Sequence, residues 1–125
     1  MAGSGPVPVY RHDGTGWEIY ARLPDRADGF QPVGADIGPD GHLYVLERRV
    51  VDRLGFASRV WRYALTDTGL SDEALLIVSG LGTHDNLEGL AAWRDATGRI
   101  RLTMMSDDNF GRWQNTELVE YVVPE

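Results

Sequence analysis

Asp107, Asp108 and Asn109 stand together in the stretch SDDNFGRWQNT, directly after an apolar run from Ile100 to Met105. Adjacent carboxylates repel each other, so a metal ion, a basic side chain, a substrate or water must compensate them. A second polar group, His84, Asp85, Asn86 and Glu88, precedes the strand expected over Leu90 to Arg94. A third, Glu47 with Arg48 and Arg49, ends the run LYVLERR. Carboxylates and amide oxygens are the donors that a hard divalent cation such as Ca²⁺ takes, six to eight at a time. The mixture fits that chemistry, but no contiguous calcium-loop pattern is present. The competing reading is that Asp107, Asp108 and Asn109 accept backbone N–H groups in a tight turn.

Other roles follow from residue type. His84 beside Asp85 has the near-neutral titration of a general base, although a loop histidine can equally be a solvated side chain. Arg48 offers a guanidinium fork for a phosphate or carboxylate. It could instead, like Arg49, offset Asp107 or Asp108 from a neighbouring structural unit. No G-x-S-x-G occurs, and neither Ser79 nor Ser106 has the context of a serine nucleophile. No glycine-rich phosphate loop precedes a helix. Trp61, Tyr63, Trp93 and Tyr121 read as packing residues on strands, and Trp113 as an anchor or cover for the acidic loop. Gly89 is expected to admit a closely approaching backbone.

The elements that must position these residues are strands. Period-two runs cover 7–11, 17–22, 33–37, 43–49, 59–65, 74–78, 90–94, 99–106 and 117–123. Turn chemistry separates them, notably Gly38-Pro39-Asp40-Gly41 and Asp95-Ala96-Thr97-Gly98. No strong helix is present; the best candidate, Ser71 to Leu76 with Ser71 as a cap, is short and runs on into Ile77-Val78. GADIGPDGHLYVLERR from Gly34 and GLAAWRDATGRIRLTMMSDDN from Gly89 form an internal repeat, offset by about 55–58 residues, as antiparallel blades would be. The repeat predicts an all-β fold of antiparallel β-propeller blades: four strands, then three, preceded by the outer half of another blade. That is roughly two blades and part of a third, whereas propellers close with about 4–8. The chain is therefore expected to need the remaining blades of a longer chain, or self-association. A compact sandwich is the other arrangement the periodicity allows.

The bulk properties narrow the partners. The 125 residues suit a single domain over 1–125 with a flexible start over 1–6. A net charge of −7 disfavours nucleic acid and anionic lipid. No cysteine is present, which removes thiol nucleophiles and thiolate metal sites. No apolar run approaches the ~20 residues of a membrane helix, and no secretion signal is visible in these residues.

The segment from Asp85 to Tyr121 resembles the bacterial phytase-like domain family labelled "esterase-like activity of phytase". The matching motifs are Asp85-Asn86-Leu87-Glu88-Gly89, then Ser106-Asp107-Asp108-Asn109-Phe110, then Gln114 with Thr116. Upstream, PVGADIGPDGHLYVLERR from Pro32 to Arg49 resembles the family's preceding blade, and the resemblance extends over most of the chain from Val7. Asn115 stands where the family often carries arginine between Gln and Thr. The resemblance implies the C-terminal portion of a longer, often exported protein, hence a periplasmic or secreted setting. It implies hydrolysis of small carboxylic or phosphate esters. Asp85, Glu88, Asp107, Asp108 and His84 would be catalytic, with the four carboxylates also holding a divalent cation. Arg48, Asn86, Asn109 and Gln114 would contact substrate. The rival expectation is a noncatalytic propeller module in which SDDNF and NLEG only fix blade packing.

Overall fold

Two turns of the same chemistry set the pattern of the chain. In the first, the Gly41 amide donates to the Gly38 carbonyl (2.9 Å) and Gly41 takes the left-handed φ of +80°. In the second, Gly98 donates to the Asp95 carbonyl (3.0 Å) at φ +89°, and the Asp95 carboxylate accepts the Thr97 amide (2.8 Å). Each joins the first two strands of an antiparallel sheet.

The computed structural model describes residues 6–24, 26–51, 55–79, 87–106 and 118–124. Among them are β1 (Val7–His12), β2 (Trp17–Leu23), β3 (Gln31–Ile37), β4 (Leu43–Val51), β5 (Gly55–Thr66), β6 (Gly69–Ser79), β7 (Leu87–Arg94), β8 (Ile100–Ser106) and β9 (Leu118–Val122). They form three antiparallel sheets: β1-β2, β3-β4-β5-β6 and β7-β8-β9. The protein is all-β, and the grouping into two, four and three strands is the one the sequence repeat predicts.

The four-stranded sheet lies between the other two. Strand alternation sends Tyr44, Leu46 and Val60 to one face, where they pack with Leu87, Leu102, Met104 and Val123 of the last sheet. It sends Leu43, Val45 and Tyr63 to the opposite face, against Leu23, Val7 and Val9 of the first sheet. β4 is thus covered on both sides, which explains its nearly continuous apolar run. Each fully buried leucine here contributes about 1.5–3 kcal/mol. The Tyr20 hydroxyl adds a polar tie from β2 to the Gly69 carbonyl (2.8 Å).

The strand expected over 74–78 is the second half of β6, and the weak helix candidate Ser71 to Leu76 also falls within that strand. Asp72 adopts φ +52°, in the left-handed region, at a register shift opposite Arg62 to Ala64. That bulge breaks the strand alternation over the first half of β6, and its φ is foreign to a right-handed helix.

A second shared device joins the middle and last sheets. The register shifts between Pro32 and Gly34 in β3, and between Leu87 and Gly89 in β7. The repeat therefore places a bulge before an equivalent glycine. At Gly34 an added Cβ would stand 2.8 Å from the Glu88 carbonyl oxygen, so β3 and β7 meet there backbone to backbone. One turn of the pleat further on, the Asp36 carboxylate accepts the Ala92 amide of β7 (2.8 Å), satisfying an edge donor without extending the ladder. The close approach was expected at Gly89. Among the described residues, the atom nearest to its Cβ position is Met105 Cβ at 3.8 Å, so Gly34 is the glycine that sterics requires. Gly34→Ala is expected to destabilise by about 1–3 kcal/mol in urea denaturation. Gly89→Ala should change stability by less than about 0.5 kcal/mol. Equal effects would contradict this assignment.

Candidate functional site

The two acid-rich segments start from neighbouring strand ends. Leu87 at the start of β7 pairs with Ser106 at the end of β8. Segment 80–86 therefore enters, and segment 107–117 leaves, at one edge of the last sheet. His84, Asp85, Asn86, Asp107, Asp108, Asn109, Trp113 and Gln114 lie outside the described residues. The two described members of the predicted set are Arg48 and Glu88. Arg48 lies two residues beyond Leu46 and so faces the last sheet, where its Nη1 is 3.4 Å from Glu88 Oε1. Its guanidinium also stands 5.9 Å from the Phe56 ring. Both charges are part-exposed, so the pair is worth less than about 1 kcal/mol and serves chiefly as orientation. The alternative pairing of Arg48 with Asp107 or Asp108 involves residues outside those described.

Glu47 does not join this group. Its neighbours Leu46 and Arg48 face the last sheet, so the strand pleat turns Glu47 toward the first. There it is buried, and its Oε1 accepts Arg59 Nε at 2.5 Å and Trp61 Nε1 at 2.8 Å. Arg59 also lies 2.8 Å from Asp28 Oδ2 and stacks 3.9 Å from the Phe30 centroid. Arg26 covers the other ring, 3.9 Å from the Trp61 centroid, and bonds the Tyr63 hydroxyl (3.1 Å) and Glu73 (2.5 Å). Two arginines and three carboxylates thus interleave with three aromatic rings on one face of the middle sheet. Trp61 and Tyr63 are packing residues, as expected, with polar atoms satisfied. Trp93 is different: it is 40% exposed, with its indole N–H on Thr103 Oγ1 (2.9 Å).

This network was missed as a unit. One signal was present: Arg59, Trp61 and Tyr63 alternate on one face, and Glu47 is the direct cross-strand partner of Arg59. Arg26 and Glu73 carry no local signature, since both come from distant segments.

The network has a titration signature. Burial, then the nearby Glu73 charge, pushes the Tyr63 phenol up to about 12. Burial and its hydrogen bond to Asp40 push Tyr44 up to about 12 as well. A raised folded-state value favours the folded protein while the phenol stays protonated. That contribution is complete below the ordinary value of 10 and is lost as pH rises toward 12. The protein is expected to lose stability across that window, and Tyr63→Phe should flatten the loss. A melting temperature with the same alkaline dependence in both forms would refute this.

Among the described residues, no group of three or more histidine, cysteine, aspartate or glutamate side chains is arranged to hold a metal ion. No described helix is long and apolar enough to cross a membrane.

A sheet stack built from a repeated bulge, with acid-rich segments issuing from one edge, is the setting in which the family relation becomes specific. The chain belongs to the phytase-like family described as esterase-like activity of phytase, whose model matches residues 5–110. The match takes in Asp85-Asn86-Leu87-Glu88-Gly89 and Ser106 to Phe110, and stops short of Gln114 and Thr116. At the family level this points to hydrolase-like, esterase-type chemistry. No curated protein and no solved structure matches the chain.

Proposed function

We propose that the chain carries part of the catalytic rim of a β-propeller hydrolase acting on small carboxylic or phosphate esters. The observation that supports it is the Leu87 to Ser106 pairing, which starts both acid-rich segments from one edge, beside Arg48 and Glu88. Asp85, Asp107 and Asp108 contribute carboxylates, and Asn86 and Asn109 amide oxygens, a donor set suited to Ca²⁺. Glu88, engaged by Arg48, takes an outer position in that set. A bound divalent cation supplies a Lewis acid and lowers the pKa of a water molecule. His84 accepts a proton beside Asp85, and Arg48, Asn109 and Gln114 hold the anionic part of the substrate. The propeller reading draws on the repeated bulge and glycine: β3 receives β7 at Gly34, and Gly89 offers the equivalent seat to a further blade, from a longer chain or a second copy.

Thermal melting with added Ca²⁺ tests the site. A folded-state site filled at a hundredfold excess over its Kd adds about 2.7 kcal/mol, and the midpoint should rise accordingly. Asp107→Asn should abolish that rise and leave the fold intact. Hydrolysis of p-nitrophenyl acetate or p-nitrophenyl phosphate should fall on chelation. No calcium response, together with hydrolysis equal to that of Asp107→Asn, would reject the reading. A noncatalytic packing role is favoured by the position of Glu88, whose carbonyl abuts Gly34 and whose carboxylate meets Arg48. Under that role Asp107→Asn destabilises the protein without calcium, and calcium has no effect.

A further inference from the structure

The opposite end of the stack holds a basic cleft of about 250 Å³, between the middle and last sheets. Arg62 of β5, Arg94 at the end of β7 and Arg99 in the turn before β8 line it, over an apolar side formed by Ile100 and Val123. One length of β8 separates it from the acid-rich segments, roughly 20 Å at the rise of a strand.

The charge arrangement is unusual for this chain. Net charge is −7, and the chain has arginines but no lysine. Elsewhere Arg11, Arg26, Arg48, Arg59 and Arg101 each pair with a carboxylate. Arg22, Arg49, Arg62, Arg94 and Arg99 form no ion pair among the described residues, and the last three share one cleft. The one carboxylate among the described lining residues, Asp40, is engaged: its Oδ2 accepts the Tyr44 hydroxyl (2.7 Å) and lies 3.0 Å from His42 Nδ1. Arg94 is oriented by its Nη1 bond to the Gly98 carbonyl (2.8 Å). Guanidinium groups that line one cleft without a countercharge repel each other, an anion relieves that repulsion, and the guanidinium fork is suited to the oxygens of a phosphate or carboxylate.

We propose that this cleft binds a dianionic oxyanion of the phosphate type, at a site separate from the acid-rich edge. The ligand is free phosphate or the phosphoryl group of a small ester.

Calorimetric titration of the full chain with inorganic phosphate tests it. Saturable one-to-one binding is expected, weakened roughly tenfold by Arg99→Gln or by Arg62→Gln, as loss of one charged hydrogen bond implies. Arg22→Gln, outside the cleft, should leave it unchanged, and so should Asp107→Asn, which separates this site from the proposed catalytic rim. Phenyl phosphate binding as well as phosphate would identify the phosphoryl group as the ligand, and markedly weaker binding would identify the free ion. Both results uphold the proposal. Absence of saturable binding overturns it, and so does equal weakening by Arg22→Gln, which would mean bulk charge. Arg99 lies in an exposed turn, so its variant decides the matter even if Arg62→Gln unfolds.

Discussion

Glu47→Ala is expected to lower the unfolding free energy by about 3–5 kcal/mol, the usual cost of removing one partner from a buried ion pair. The Glu47 side chain is 7% exposed and that of Arg59 12%. Truncation would leave the Arg59 guanidinium beside Asp28 and Phe30 but without its closest countercharge, and the Trp61 N–H without its acceptor. Because Asp28 remains, the loss should fall toward the lower end of that range. Burial pushes the Asp28 carboxyl up, but the Phe30 amide and Arg59 outweigh it and hold the group below its ordinary value, so Asp28 stays charged at neutral pH. Glu47→Gln keeps an acceptor and should cost less. Replacing both Glu47 and Arg59 by methionine should cost less than the two single truncations together, since no charge is then stranded. Urea denaturation of the wild type, Glu47→Met, Arg59→Met and the double variant gives the coupling. Additive effects under about 0.5 kcal/mol each would show that the network is ornamental.

The second large effect is expected in the opposite core. Leu102 is fully buried among Tyr44, Leu46, Val60, Leu87 and Met104, where the middle and last sheets meet. Leu102→Ala should cost about 2–5 kcal/mol, through lost transfer energy and the cavity left behind. Leu118 lies on the last strand of the same sheet but is 73% exposed, so Leu118→Ala should cost little. If the two variants melted together, the inward face of the last sheet would be misassigned. A loss of this size is a large fraction of the ~5–15 kcal/mol typical of a domain.

How far the sequence revealed the fold depended on whether the information was local. Gly38-Pro39-Asp40-Gly41 and Asp95-Ala96-Thr97-Gly98 carry their turn chemistry within four residues, and both hairpins form where predicted. The repeat was legible for the same reason, because each copy brings its own turn and strand. β6 was legible only over 74–78, because the left-handed Asp72 interrupts alternation in its first half in a way residue type does not announce. Gly34 and Gly89 look equivalent in sequence, and only the position of β7 decides which of them is crowded. Glu47, Arg48 and Arg49 read as one charged cluster, yet alternation sends Glu47 and Arg48 to different sheets, which matters only because both faces are covered. Of the candidate site, the motifs around Asp85 and Asp107 were legible as family signatures, and their side chains lie outside the described residues. The Arg48 to Glu88 contact bridges two sheets, and the cleft of Arg62, Arg94 and Arg99 gathers three separate segments; neither has a signal within one stretch of chain.

The placement of β4 and β5 has a consequence for how the molecule breathes. Each has ladder partners on both sides, and their sheet is overlaid on both faces. Their amides can meet deuterium only when the whole molecule opens, whereas the two-stranded β1-β2 hairpin, with Trp17 in solvent, can detach at far lower cost. Isotope uptake should therefore advance from the margins inward, and the last protons to exchange should be those of Tyr44 to Leu46 and of Val60.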